Sequence, residues 1–268
     1  MAARGAQIIS IANQKGGVGK TTTTMNLGVA LAEMKQRVLL IDGDPQANLT
    51  SYLGVTPGEP PYEDLRTLDE IYLSKRAWDE RVKSLYITSC AAGVDLIASD
   101  KALAGVEYYL FSRGDREVIL ARFLSMLQKE YDFIIIDTPP SLNLLTLNAL
   151  SASHFVLIPV QAEFFSLEGI VKIREIVQDV QTRWNPKLQI LGVLPTQYSQ
   201  RRKLTQEVIQ ALQSELGSLL FQSMIHDNAS IAESSGHAQS VIHYDRSSRG
   251  AKDYVLAAQE LVRRCQSQ

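Results

Sequence analysis

Short apolar runs alternate along the chain with segments of helical period. Ile8-Ile9-Ser10-Ile11-Ala12 is apolar and β-branched but for Ser10, as a buried strand would be. A helix is expected over 21–34, where Leu27, Ala30, Leu31 and Met34 recur at helical spacing, and Val38, Leu39, Leu40 and Ile41 in 37–42 read as a second buried strand. Two such strands joined by a helix make a βαβ unit, which calls for a parallel sheet.

Residues 55–66, rich in Pro and acid, read as a loop, and 67–73 as the start of a short helix. Further strands are expected over 85–88, 94–98, 131–137, 155–160 and 188–194. Helices are expected over 102–111, 116–129, 166–183, 204–216 and 251–264. In 166–183, Ile170, Ile173, Ile176, Val177 and Val180 share one face. Tyr108 and Tyr109 could form a partner surface, although aromatic residues on a helix more often pack in the core. No repeat or linker interrupts the pattern. The expectation is therefore one α/β domain over 1–268, with a mostly parallel twisted sheet and helices on both faces.

Three strand ends carry candidate chemistry. Between the first strand and helix lies Gln14-Lys15-Gly16-Gly17-Val18-Gly19-Lys20-Thr21-Thr22. Gly16, Gly17 and Gly19 let successive backbone N–H groups close on a polyphosphate at the positive end of a helix dipole. Lys20 would reach the β- and γ-phosphates of a bound nucleotide, and the Thr21 hydroxyl would ligate Mg²⁺. The phosphate-loop pattern G-x-x-x-x-G-K-S/T asks for Gly at position 14, where this chain has Gln14 followed by Lys15. That early lysine adds a second cation, placed to serve a neighbour's nucleotide. After the second strand come Asp42, Gly43, Asp44 and Pro45. Asp44 is the candidate for orienting water, although Asp-Pro is also a common start of a turn. The strand Phe133-Ile134-Ile135-Ile136 ends in Asp137, a Walker B acid able to hold a water of Mg²⁺ beside Thr21.

Composition adds boundaries rather than chemistry. Across 268 residues, 27 Lys and Arg face 29 Asp and Glu, so net charge alone does not indicate a nucleic-acid binder. Residues 183–268, however, hold 10 basic and 7 acidic side chains. The densest basic cluster, Arg201-Arg202-Lys203, opens an expected helix, where three cations oppose the dipole and an external phosphate would relieve them. By itself, such a cluster is more often a solvated face. The apolar runs are too short to cross a membrane, and the first residues lack a signal peptide's apolar core, so a cytoplasmic protein is expected. The two cysteines, Cys90 and Cys265, have neither a metal-ligand nor a CxxC spacing.

The string Lys15-Gly16-Gly17-Val18-Gly19-Lys20-Thr21-Thr22 resembles the deviant Walker A box of the ParA/MinD superfamily, and of its ParA/Soj members in particular. Asp42-Gly43-Asp44-Pro45-Gln46-Ala47-Asn48 and Asp137-Thr138-Pro139-Pro140 resemble that family's second and third motifs. The resemblance implies an ATPase that binds ATP and Mg²⁺ through Lys15, Gly16, Gly17, Val18, Gly19, Lys20, Thr21 and Thr22. It implies Pro195 and Thr196 near the adenine, metal contacts at Thr21, Asp44 and Asp137, and catalytic roles for Lys15, Lys20 and Asp44. It further implies an ATP-dependent homodimer in which Lys15 reaches the partner's phosphates, non-specific DNA binding, nucleoid association, and activation by a ParB-like protein. In chromosomal members, arginines stand where this chain has Asp227 and Ser230, and Arg246, Arg249 and Lys252 could compensate alongside Arg201, Arg202 and Lys203. Two alternatives are an ATPase that positions a protein cargo over the nucleoid and a MinD-like membrane regulator. The last helix argues against the second, since Val255, Leu256, Leu261 and Val262 are more simply a packing face than a bilayer anchor.

Overall fold

The computed structural model describes residues 5–74, 78, 83–163, 166–200 and 202–267. In chain order the strands are β1 (Gln7–Ile11), β2 (Val38–Asp42), β3 (Ile87–Ser89), β4 (Asp95–Ile97), β5 (Phe133–Asp137), β6 (Phe155–Gln161) and β7 (Gln189–Thr196). They join into one sheet in the order β3-β4-β2-β5-β1-β6-β7, parallel except for β3, which runs antiparallel to β4 at one edge.

The helices are α1 (Lys20–Glu33), α2 (Asn48–Tyr52), α3 (Leu68–Leu73), α4 (Lys83–Tyr86), α5 (Val106–Leu110), α6 (Ile119–Leu124), α7 (Leu144–Ala152), α8 (Ser166–Arg183), α9 (Lys203–Leu216), α10 (Ala229–Gly236), α11 (Val241–Tyr244) and α12 (Arg249–Gln266). Because successive strand residues point to opposite faces, each apolar strand fills two cores. Ile9, Ile11, Leu40, Ile135 and Leu157 pack on the α1 and α12 side, while Ile8, Leu39, Ile41, Ile134 and Ile136 pack on the side of α3, α5, α6 and α7. Val156, Ile158 and Val160 meet α8 and α9. α12 lies along α1 with Tyr254, Ala257, Ala258 and Leu261 buried, so its apolar face is a packing face. Among the described residues no helix is long and apolar enough to cross a membrane.

Two glycines permit close approach. A Cβ on Gly28 of α1 would fall 2.6 Å from Leu40 of β2, and one on Gly43 would fall 2.5 Å from the Asp137 carbonyl oxygen. The second keeps the exits of β2 and β5 in contact.

Several expected elements differ. The 102–111 helix divides at Gly105 into a 3₁₀ turn, Lys101–Gly105, capped by Asp100, and the shorter α5. The 116–129 helix is reduced to α6, because from Met126 onward the backbone bonds tighten to a three-residue spacing. Residues 85 and 86 end α4, leaving β3 to begin at Ile87. Tyr108 and Tyr109 are 85% and 65% exposed, which decides against the core alternative; α5 buries Val106 and Leu110 instead.

Candidate nucleotide-binding site

Register brings the site together. Ile11 is level with Asp137, and Asp137 with Asp42, so β1, β5 and β2 end flush on one edge of the sheet. Ligands of open α/β sheets bind at such carboxyl ends. The loop leaving β1 turns into α1 through Gly17 (φ 75°) and Gly19 (φ 84°), both in the left-handed region that glycine tolerates. α1 has no side-chain cap and no acidic residue in its first turn, so its initial N–H groups and dipole are left for an anion.

The loop is fixed at its backbone by neighbours. Asn13 donates to the Pro159 carbonyl oxygen (2.8 Å) and accepts from the Lys15 amide (3.0 Å). The Thr196 hydroxyl donates to the Val18 carbonyl oxygen (2.9 Å), and the Gln197 amide to that of Gly17 (2.7 Å). Holding these carbonyls outward turns the alternate N–H groups toward the phosphate position. Thr196, expected near a base, therefore also braces the loop, and Pro195 next to it accepts the Ile225 amide (2.9 Å) within the β7 strand end.

The two lysines behave differently. Lys20 is buried and its ammonium rests 3.3 Å from the Lys15 carbonyl oxygen. Desolvation lowers its pKa, against the opposing pull of Asp137 and Asp44. A desolvated cation beside an uncapped helix N-terminus suits a polyanion. Lys15 is about half exposed and its ammonium pairs with Glu163, just past β6, at 2.5 Å.

Asp137 is wholly buried and accepts from the Thr21 hydroxyl (2.6 Å), the Thr24 hydroxyl (3.4 Å) and the Thr138 amide (3.1 Å). Burial, then the charge of Asp42 in register beside it, pushes its carboxyl up to about 8. Burial likewise raises Asp42 to about 6, although the Thr50 amide (2.8 Å) and hydroxyl (2.7 Å) and the Asp44 amide (3.2 Å) bond to its carboxylate. Asp42 thus organises the turn into α2. The neighbouring Asp44 is 7% exposed and accepts from the Gln46 amide (2.9 Å), with its own carbonyl held by Ser99 (2.9 Å).

This donor set fits Mg²⁺, which ordinarily takes one or two protein oxygens and fills the rest from phosphate and water. The Thr21 hydroxyl and a buried carboxylate meet there, and a cation would relieve the cost of ionising Asp137. Among the described residues no three His, Cys, Asp or Glu side chains converge as a self-sufficient metal site.

Beside the loop a cavity of about 380 Å³ is lined by Gly19, Thr22, Thr196, Gln197, His226 and Asn228, among others. Its size and position suit a nucleoside extending from the phosphate loop. Asn13, Glu163, Gln197 and His226 were not legible as site residues, because each acts across a contact between distant segments.

The basic residues of the C-terminal third are spread out. Arg202 and Lys203 are exposed at the start of α9, with Lys203 3.9 Å from Glu207, and Arg201 lies outside the described residues. Arg246 forms a two-pronged pair with Glu33 (3.0 and 3.0 Å), and Arg249 meets the His226 ring at 2.7 Å. Ser230, where an arginine would be expected, donates to Asp245 instead (3.1 Å).

A phosphate loop on β1, acids on the adjoining β2 and β5 and a mostly parallel sheet define a P-loop nucleotide-binding protein. Residues 6–190 match the model of the AAA domain family. The chain is 40% identical over 256 residues to the sporulation initiation inhibitor protein Soj of Bacillus subtilis, covering 96% of this chain and 98% of that one. It is 35% identical over 266 residues to the chromosome partitioning protein ParA of Caulobacter vibrioides, covering 98% and 97%. A crystal structure named cobyrinic acid a,c-diamide synthase from Mycobacterium smegmatis, with bound ADP and magnesium, superposes with a TM-score of 0.82 at 34% identity, covering 98% and 96%. The chain belongs to the ParA/Soj family of ATPases.

Proposed function

We propose that this protein binds ATP with Mg²⁺, closes into a homodimer over two nucleotides, holds DNA without regard to sequence, and hydrolyses ATP to ADP and phosphate to release it. Such a cycle would segregate or position plasmid or chromosome DNA, with a ParB-like protein speeding the slow step. The observation that carries the reading is Lys15, a second lysine in the phosphate loop, held by an exposed carboxylate rather than buried beside Lys20.

Each role follows from the local chemistry. The α1 N–H groups and Lys20 receive the triphosphate, with Lys20 leaving the Lys15 carbonyl to do so. Lys15 leaves Glu163 for the partner's phosphates. Asp44, at the exit of β2, orients the attacking water, while Thr21 and Asp137 would hold Mg²⁺. When bound, Mg²⁺ neutralises charge that develops on the transferring phosphoryl group. The two lysines do the same once seated on the phosphates, which is how such sites lower the barrier. The base occupies the cavity beside Thr196.

DNA retention with ATP, ADP and no nucleotide, for wild type and Asp44→Ala, tests this reading. ATP-dependent retention that is prolonged in the variant supports it; retention that ignores nucleotide contradicts it. If wild type retains no DNA but forms the ATP dimer, a cargo of protein replaces DNA in the proposal.

A further inference from the structure

The segment 245–249 carries two arginines that the fold treats differently. Arg246 spends both arms of its guanidinium on Glu33, and the His243 ring nitrogen lies 3.7 Å from the same carboxylate. Its charge is matched and its fork is filled. Arg249, the first residue of α12, is exposed and its guanidinium meets Nε2 of His226 at 2.7 Å.

That contact fixes the state of the imidazole. A guanidinium only donates, so Nε2 must present its lone pair, and the ring proton must be on Nδ1. Nδ1 faces Asp253 Oδ2 at 2.8 Å, an acceptor that also takes the His226 amide at 2.9 Å. The ring is further held by the edge-to-face contact with Tyr198, 5.1 Å between centroids, and its side chain is only 14% exposed. Among the described residues no carboxylate pairs directly with Arg249: its partner is the imidazole, with the Asp253 carboxylate on the far side of the ring. A phosphodiester meets a fork already ordered at that position, whereas at Arg246 it would have to displace a carboxylate.

The geometry points to His226 as the positioning residue for Arg249, and to Arg249 rather than Arg246 as the arginine of this segment that contacts a DNA phosphate. The assignment rests on the DNA-binding reading of the C-terminal third.

The experiment is the affinity of the full chain for a random-sequence DNA duplex, with a non-hydrolysable ATP analogue, across a salt series. Sedimentation with the analogue checks that each variant still dimerises. Arg249→Ala should weaken binding and flatten the plot of log affinity against log salt by about one unit for each subunit whose Arg249 meets a phosphate. Arg246→Ala should do neither. His226→Ala should weaken binding in the same direction, and His226→Gln, whose carbonyl oxygen can accept from the guanidinium in place of Nε2, should restore it. Wild-type affinity in His226→Ala, or failure of His226→Gln to restore it, overturns the positioning role. An unchanged slope in Arg249→Ala, or an equal loss in Arg246→Ala, overturns the choice of arginine while leaving DNA binding intact. Wild type that dimerises but holds no DNA in any nucleotide state overturns the DNA reading and this assignment together.

Discussion

The ammonium of Lys15 sits 2.5 Å from the carboxylate of Glu163, 148 residues further along the chain, with both side chains about half exposed. An ion pair this open contributes about 0–1 kcal/mol. A triphosphate bearing several negative charges can therefore draw Lys15 away, which a buried pair would resist.

Glu163→Gln removes that competitor. The dimer formed with a non-hydrolysable ATP analogue breaks two such pairs, one per subunit, and should tighten by up to about thirtyfold if each is worth 1 kcal/mol. Analytical ultracentrifugation across protein concentration reads the shift. A weaker dimer would mean that Glu163 supports the closed state.

Lys20→Ala should abolish binding of ATP. The Lys20 ammonium is desolvated between the loop and two carboxylates. A titration with a fluorescent ATP analogue checks this, and retained tight binding contradicts the phosphate role.

Asp44→Ala should spare ATP affinity and reduce turnover by about 10²-fold or more, the scale of a lost general base. Phosphate release under saturating ATP measures it. Unchanged turnover removes Asp44 from the chemistry.

The pH dependence of Mg²⁺-ATP binding follows from Asp137. Its carboxyl is pushed up to about 8 by burial and by Asp42, so at neutral pH the protein alone holds a proton there. A bound cation favours the carboxylate, so binding releases that proton. Affinity should rise with pH up to about 8 and then level, with a limiting slope of about tenfold per pH unit. Calorimetry in buffers of different ionisation enthalpy counts the proton. Asp137→Asn, which cannot titrate, should lose the proton release; a flat wild-type profile contradicts the assignment.

Much of the sheet was legible because strands buried on both faces have to be continuously apolar, as 133–136 and 38–41 are. The phosphate loop and its two acids were legible because each follows such a strand directly. The short pieces around 101–130 were not, since their ends depend on Gly105 and on turns that tertiary packing selects. Glu163 and His226 could not be read from sequence either. The first matters only because β6 lies beside β1, and the second because residues 226, 249 and 253 meet across the α12 start. Sequence leaves the exposure of Tyr108 open because helical period does not say which face of a short helix the sheet will cover.

The central claim is that Lys15 acts on a second subunit's nucleotide. Sedimentation of wild type and Lys15→Ala with ADP and with a non-hydrolysable ATP analogue tests it most directly, once nucleotide binding to both has been verified. The expected result is a wild-type dimer with the analogue alone and a Lys15→Ala protein that binds the analogue yet stays monomeric. A wild type that remains monomeric with the analogue, or a Lys15→Ala protein that dimerises as well as wild type, would contradict it.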